Sequence, residues 1–295
     1  MSQRLVLLFV AVAVLVAASL WLMVPGSHGE SASRQSDRAL LGEARRGGLR
    51  AGLQVPLAEI EVTEARLPEA PLVLIDPGHG GRDGGAQGVG GASEDALTLA
   101  VAREVQALLV ERGRVRTALT RDDNETLSLE QRADLARRLA PDLFVSIHMD
   151  AAPNPEATGV TVYSLADIAS TTEAAELAAA EAERVGTVVS DADSNVEFLL
   201  TDLALRDQMA ASAAFARRFL RRAEGRAGVP LRPTPHQFAN FYVLRFAQVP
   251  GVLVEAGYLS NRVDETRLRN ADSRAPLVET LAEAIEADLA TRTLR

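Results

Sequence analysis

Short runs of valine, isoleucine and leucine alternate with stretches of helical period from residue 71 onward, which predicts an α/β domain with a mostly parallel sheet. Six strands are expected, at 72–76, 115–120, 143–148, 159–164, 240–244 and 251–256. Helices at about 94–112, 128–139, 172–188, 203–223 and 274–292 would flank the sheet. In such sheets the C-terminal strand ends line up at one edge, where ligands bind. His79, His148 and Glu255 sit at or just past strand ends, so the pattern puts them on a common rim.

Upstream the pattern changes. After Arg4, Leu5 to Val24 carry no charge, about the length that spans a bilayer. Residues 1–26 therefore read as an N-terminal hydrophobic helix, either a signal peptide or a membrane anchor. The length favours the anchor, because signal h-regions run to only about 7–15 residues. Either way the remainder leaves the cytoplasm. Residues 27–70 turn to Ser, Arg, Glu and Gly and read as a linker, with one short helix at Asp37 to Arg46. The folded domain is expected over 71–295.

Composition removes several classes of function. A net charge of -9 argues against nucleic acid, whose binding needs a basic surface to release counterions. The 31 basic residues are all arginine and scattered. With no cysteine, disulfides, thiolate metal sites and a cysteine nucleophile are impossible, so any metal must be held by histidine and carboxylate. There is no G-x-S-x-G elbow and no H-E-x-x-H.

The candidate chemistry lies in three places. Val73-Leu-Ile-Asp-Pro-Gly-His79-Gly-Gly delivers a histidine from a buried strand into glycines, and Glu94 then opens a helix. Imidazole and carboxylate are the ligand types of a catalytic zinc. By position alone Glu94 could equally serve the helix dipole, and Asp95 offers the same chemistry. Leu143-Phe-Val-Ser-Ile-His148-Met-Asp150 repeats the strand-to-histidine pattern, with Asp150 either orienting the ring or adding a ligand. Glu255 ends the apolar run Val252-Leu-Val, where burial would raise its pKa toward the range of a general acid/base. His236, in a proline-rich loop, reads as a surface residue or substrate contact.

Taken together, these residues resemble the zinc-dependent N-acetylmuramoyl-L-alanine amidases of the cell-division type, the amidase_3 family. The matching stretches run in order from Leu72 to the C-terminus: Ile75-Asp-Pro-Gly-His-Gly-Gly, Glu94, Thr120-Arg-Asp122, Ser146-Ile-His-Met-Asp-Ala151, Gln237-Phe-Ala-Asn-Phe-Tyr-Val-Leu244 and Leu253-Val-Glu-Ala-Gly-Tyr-Leu-Ser-Asn261. Methionine at Met149 and alanine after Glu255 depart from the family's usual alanine and threonine.

The resemblance implies one zinc ion on His79, Glu94 and His148, with Glu255 as the catalytic glutamate. It implies cleavage of the bond between N-acetylmuramic acid and L-alanine in peptidoglycan, in cell-wall remodelling and daughter-cell separation. The location implied is the periplasm, with inner-membrane attachment through residues 5–24 if they are uncleaved. It also offers two readings of an insertion at about 165–200: a cover over the metal through Glu181 or Glu183, displaced by an activator with a LytM-like domain, or an ordinary amphipathic helix with a solvated glutamate face. The competing readings are a zinc peptidase or deacetylase on another cell-wall bond, and a non-catalytic peptidoglycan-binding scaffold.

Overall fold

The computed structural model describes residues 60–67, 69–184 and 195–292; the hydrophobic segment and most of the linker lie outside the described residues. Among the described residues no helix is long and apolar enough to cross a membrane.

Seven strands form one sheet: β1 (Val62–Thr63), β2 (Leu72–Pro77), β3 (Arg116–Leu119), β4 (Leu143–His148), β5 (Val160–Leu165), β6 (Leu231–Ala239) and β7 (Gly251–Glu255). Their spatial order is β1-β3-β2-β4-β7-β5-β6. The central strands β3, β2, β4 and β7 are parallel, while β5 runs antiparallel to β7 and β1 antiparallel to β3. The sheet is therefore mixed, where a mostly parallel one of about six strands was expected.

Alternation along the central strands explains why both faces are covered. Val73, Ile75, Val145, Ile147, Val252 and Val254 face one core with α1 (Glu94–Arg112), α4 (Asn195–Ala223) and α7 (Ala271–Arg292), through residues such as Leu109, Phe215 and Ile285. Leu72, Leu74, Phe144 and Leu253 face the other, under α2 (Leu129–Leu139), α3 (Thr172–Glu183) and α5 (Tyr242–Ala247). Each such side chain contributes roughly 1.5–3 kcal/mol on burial. Strands buried on both faces read as unbroken apolar runs, which made β2, β4 and β7 visible in the sequence.

One predicted strand is corrected. Residues 240–244 do not form a strand, because Tyr242–Ala247 is helical and buries Val243, Leu244 and Ala247 at helical spacing. The strand lies earlier, at Leu231–Ala239, on the edge of the sheet. Pro233 and Pro235 disguise it, and an edge strand tolerates them because one side needs no ladder partner. A further helix, α6 (Arg262–Arg269), follows β7 where none was predicted.

Candidate metal centre

β2 ends in Asp76-Pro77, and the chain then turns sharply, with His79 at φ +58°. This left-handed conformation costs a non-glycine residue roughly 1–2 kcal/mol. Two buried guanidiniums hold it. Arg121 donates through Nε to the Pro77 carbonyl (3.0 Å) and through Nη2 to that of Gly78 (2.9 Å). Arg132 donates to the carbonyls of Pro77 (2.8 Å) and His79 and pairs with Asp76. Asp76 also accepts from Thr120 Oγ1 (2.6 Å) and Ser146 Oγ (2.8 Å). Burial alone would raise the Asp76 carboxyl, but the Arg132 charge and these hydrogen bonds outweigh it and hold the group below its ordinary value.

Three side chains converge beside this turn. Glu94, at the start of α1, is fully buried, and backbone fixes both its oxygens: Ala86 N–H donates to Oε2 (2.8 Å) and Met149 N–H to Oε1 (2.9 Å). His148 Nδ1 lies 3.1 Å from Oε1, and His79 Nε2 lies 3.2 Å from Oε2. Asp83 Oδ2 sits 2.9 Å from His79 Nδ1, which leaves Nε2 facing the cluster. The two rings meet edge to face, 5.0 Å between centroids. Gly78 makes room, because a Cβ there would stand 2.4 Å from His148 Cε1. Gly85, at φ +65°, would bring one to 2.5 Å of Glu94 Oε2.

These groups fit a zinc ion. The donor atoms of His79, Glu94 and His148 all lie within 4.8 Å of one another. His79 Nε2 is buried, close to Glu94 by distance, yet has no aligned hydrogen-bond partner among the described residues. Burial opposes charge on Glu94, but the histidines more than compensate and hold it well below the usual carboxylate range.

Glu255 ends β7 directly opposite His148 on β4. Its Oε2 accepts the Asp150 N–H (3.0 Å), while its buried Oε1 has no partner among the described residues. Burial, then the charges of Asp150 and Glu94, push its carboxyl well above the ordinary value. The Asp150 side chain lies outside the three-residue donor cluster but lines the same cavity of about 360 Å³, beside His79, His148 and Glu255. Burial and the Glu94 charge raise its pKa as well.

α3 forms part of the cavity wall. Glu181 lines it, but its carboxylate accepts the N–H groups of Tyr242 and Val243 (3.3 Å to the latter) at the start of α5. Burial pushes its pKa up to about 7 against those two bonds. Glu183 is exposed. Among the described residues of this segment Arg184 approaches His79, 3.5 Å from its Nδ1, and lies 3.6 Å from Asp83 Oδ2. Residues 185–194, the rest of the expected insertion before α4, lie outside the described residues. His236 bonds Ser164 Oγ (2.9 Å) and is not in the cluster. Sequence reading passed over Asp83 and Arg132. Asp83, four residues past His79 in the same loop, could have been considered, whereas Arg132 is one arginine among several on α2.

The chain is similar in sequence and fold to known proteins. Residues 73–287 match the family model Amidase_3, N-acetylmuramoyl-L-alanine amidase. The chain is 31% identical over 218 residues to N-acetylmuramoyl-L-alanine amidase AmiA of Escherichia coli K12, covering 72% of this chain and 74% of that protein. It is 32% identical over 228 residues to AmiC of Neisseria meningitidis, covering 76% of this chain and 54% of that one. Among solved structures, the catalytic domain of CwlV from Bacillus (Paenibacillus) polymyxa superposes with a TM-score of 0.56 at 26% identity, over 75% of this chain and 98% of that one. AmiC2 of Nostoc punctiforme superposes with a TM-score of 0.54 at 28% identity, over 76% and 98%.

Proposed function

The chain belongs to the N-acetylmuramoyl-L-alanine amidase family Amidase_3, whose members act on peptidoglycan, and from that premise we propose how its own residues do the chemistry. His79, Glu94 and His148 hold one zinc ion and Glu255 is the acid/base. The observation that carries this reading is the pairing of two unsatisfied buried atoms at one cavity, Nε2 of His79 and Oε1 of Glu255. When bound, the zinc ion supplies a Lewis acid for the scissile carbonyl and acidifies water.

The remaining work belongs to side chains. Asp150 N–H fixes one oxygen of Glu255 and leaves Oε1 free to take a proton from the attacking water. Burial keeps that proton on the carboxyl long enough to pass it to the leaving amine of L-alanine. The products are the lactyl carboxylate of N-acetylmuramic acid and a stem peptide with a free L-alanine amine.

The exported domain, 71–295, would act in the periplasm, tethered to the inner membrane through residues 5–24 if they are uncleaved. α3 would cover the cavity, pinned by Glu173 to Arg232 (2.6 Å) and by Glu181 to α5, until a LytM-like activator lifts it during daughter-cell separation.

Mass spectrometry of muropeptides tests the reaction. Purified enzyme should release free stem peptides from sacculi, a chelator should stop it, and Glu255→Gln should abolish release while zinc stays bound. Near wild-type release by Glu255→Gln would remove Glu255 from its role. Products cut at another bond would favour the peptidase or deacetylase reading.

A further inference from the structure

α6 opens with Asp264 and Glu265, where acids ordinarily complement the helix dipole. Both are buried, and although Asp264 Oδ1 pairs with Arg267 on the same helix (3.0 Å), both carboxylates also bond backbone outside it. Asp264 Oδ2 accepts the N–H groups of Gly159 (2.8 Å) and Tyr258 (3.1 Å). Glu265, only 2% exposed, accepts those of Gly90 (2.5 Å) and Ala92 (3.0 Å), more than 170 residues earlier in the chain. Gly88 and Gly90 give it space: a Cβ would stand 2.4 Å from Oε1 at the first and 2.8 Å from Oε2 at the second.

That loop closes on itself through Gly88 N–H to the Ala92 carbonyl (2.7 Å). Its outer side is tied to the β7–α6 segment and to α6 itself, by Val89 N–H to the Leu259 carbonyl (3.1 Å) and by Arg269 Nη1 to the Gly90 carbonyl (2.9 Å). Its two ends pair at Gln87 and Ser93 and run straight into the metal cluster. Ala86 receives the Glu94 N–H on its carbonyl (3.0 Å) and returns its own N–H to Glu94 Oε2 (2.8 Å). The peptide that aims the Glu94 carboxylate is thus the last rung of a loop whose tip is gripped by Glu265. Glycine-rich backbone has many conformations of similar energy, and a buried carboxylate with two donors selects one of them.

We propose that Glu265 is a positioning residue for the metal centre: by clamping the 88–92 loop it presets Glu94, so that the ion meets a formed site. This rests on the metal-site reading above. It also ties the ligand loop to the segment that follows Glu255, so ligand and acid/base are registered to one helix.

The test uses the full chain, with zinc affinity measured by competition against a chromophoric chelator and melting followed with and without zinc. Glu265→Ala should weaken zinc binding about tenfold or more, in the range seen when groups behind metal ligands are lost. Glu265→Gln, which keeps one acceptor oxygen, should fall between that variant and wild type. Gly88→Ala, whose methyl displaces the carboxylate, should weaken binding alone but add nothing in the Glu265→Ala background. If Glu265→Ala does not fold, the Gln and Gly88→Ala variants carry the comparison. A purely structural Glu265 would lower the melting temperature of the zinc-free protein and leave the affinity of the folded protein unchanged; that result, or additive effects of Gly88→Ala and Glu265→Ala on affinity, overturns the inference. A wild-type chain that takes up no zinc overturns the metal-site reading and the inference with it.

Discussion

Replacing Arg132 with methionine probes the scaffold under the metal centre while leaving every candidate ligand side chain in the sequence. The guanidinium is 3% exposed and pairs with an Asp76 carboxylate that is 1% exposed, while also serving the carbonyls of Pro77 and His79. Removing one partner of a buried pair leaves an uncompensated charge and costs about 3–5 kcal/mol, a large share of the roughly 5–15 kcal/mol by which domains are stable. Thr120 and Ser146 still serve Asp76, and Arg121 still serves Pro77, so the lower half of that range is expected. For a domain of this size each kcal/mol moves the melting temperature by about 2–4 °C, so a loss of about 3–4 kcal/mol predicts a fall of roughly 6–16 °C. The pH dependence follows from the native Asp76 value being below its unfolded one. Wild type has the full contribution above the unfolded value and loses it as pH falls through the native one. In Arg132→Met the unpaired carboxyl instead favours its proton, so the gap between the two proteins is widest near neutrality and narrows in acid. Urea unfolding followed by circular dichroism, in chelator-treated buffer from pH 7 to pH 3.5, measures both. A loss under about 1 kcal/mol, or a gap that does not change with pH, would refute the argument.

Two further outcomes concern α3. Glu181 has its native value raised to about 7, so its contribution to docking is complete below the unfolded carboxylate value and is lost as pH rises through about 7. Protection of Thr172–Glu183 from hydrogen exchange, taken relative to the intrinsic base-catalysed rate at each pH, should therefore fall between pH 6 and 8, and Glu181→Gln should flatten that dependence; equal protection profiles in the two proteins would count against it. Deleting residues 170–195 should raise basal stem-peptide release, and a folded deletion with unchanged or lower activity would show that this segment does not cover the site.

What the sequence made legible follows a physical line. β4 and β7 are largely apolar runs that end on a polar residue, and a costly polar residue there needs a reason, so His148 and Glu255 stood out. His79 stood out through its glycines. The carboxylate of Glu94 could not be told from that of Asp95 locally; what separates them is that Glu94 turns toward two histidines, while Asp95 offers its carbonyl to Arg121. β6 hid behind its prolines and α5 behind a β-prone Phe-Tyr-Val-Leu, because edge position and tertiary packing overrode local preference. Arg132 and Glu265 act on backbone 53 and about 175 residues away, and no local pattern encodes such a partner.

His148 and Glu255 are directly paired on adjacent parallel strands. Neighbouring strands stand about 4.8 Å apart, a spacing set by peptide hydrogen bonds and indifferent to side chains. The interval between a ligand and the proton carrier is therefore a property of the sheet lattice. Loop changes can widen, narrow or cover the approach to this centre, but only a change of strand register would alter that interval, and a slip by one residue would turn one of the two groups to the opposite face. A designer seeking a different bond to cleave should accordingly rebuild the rim and leave β4 and β7 alone.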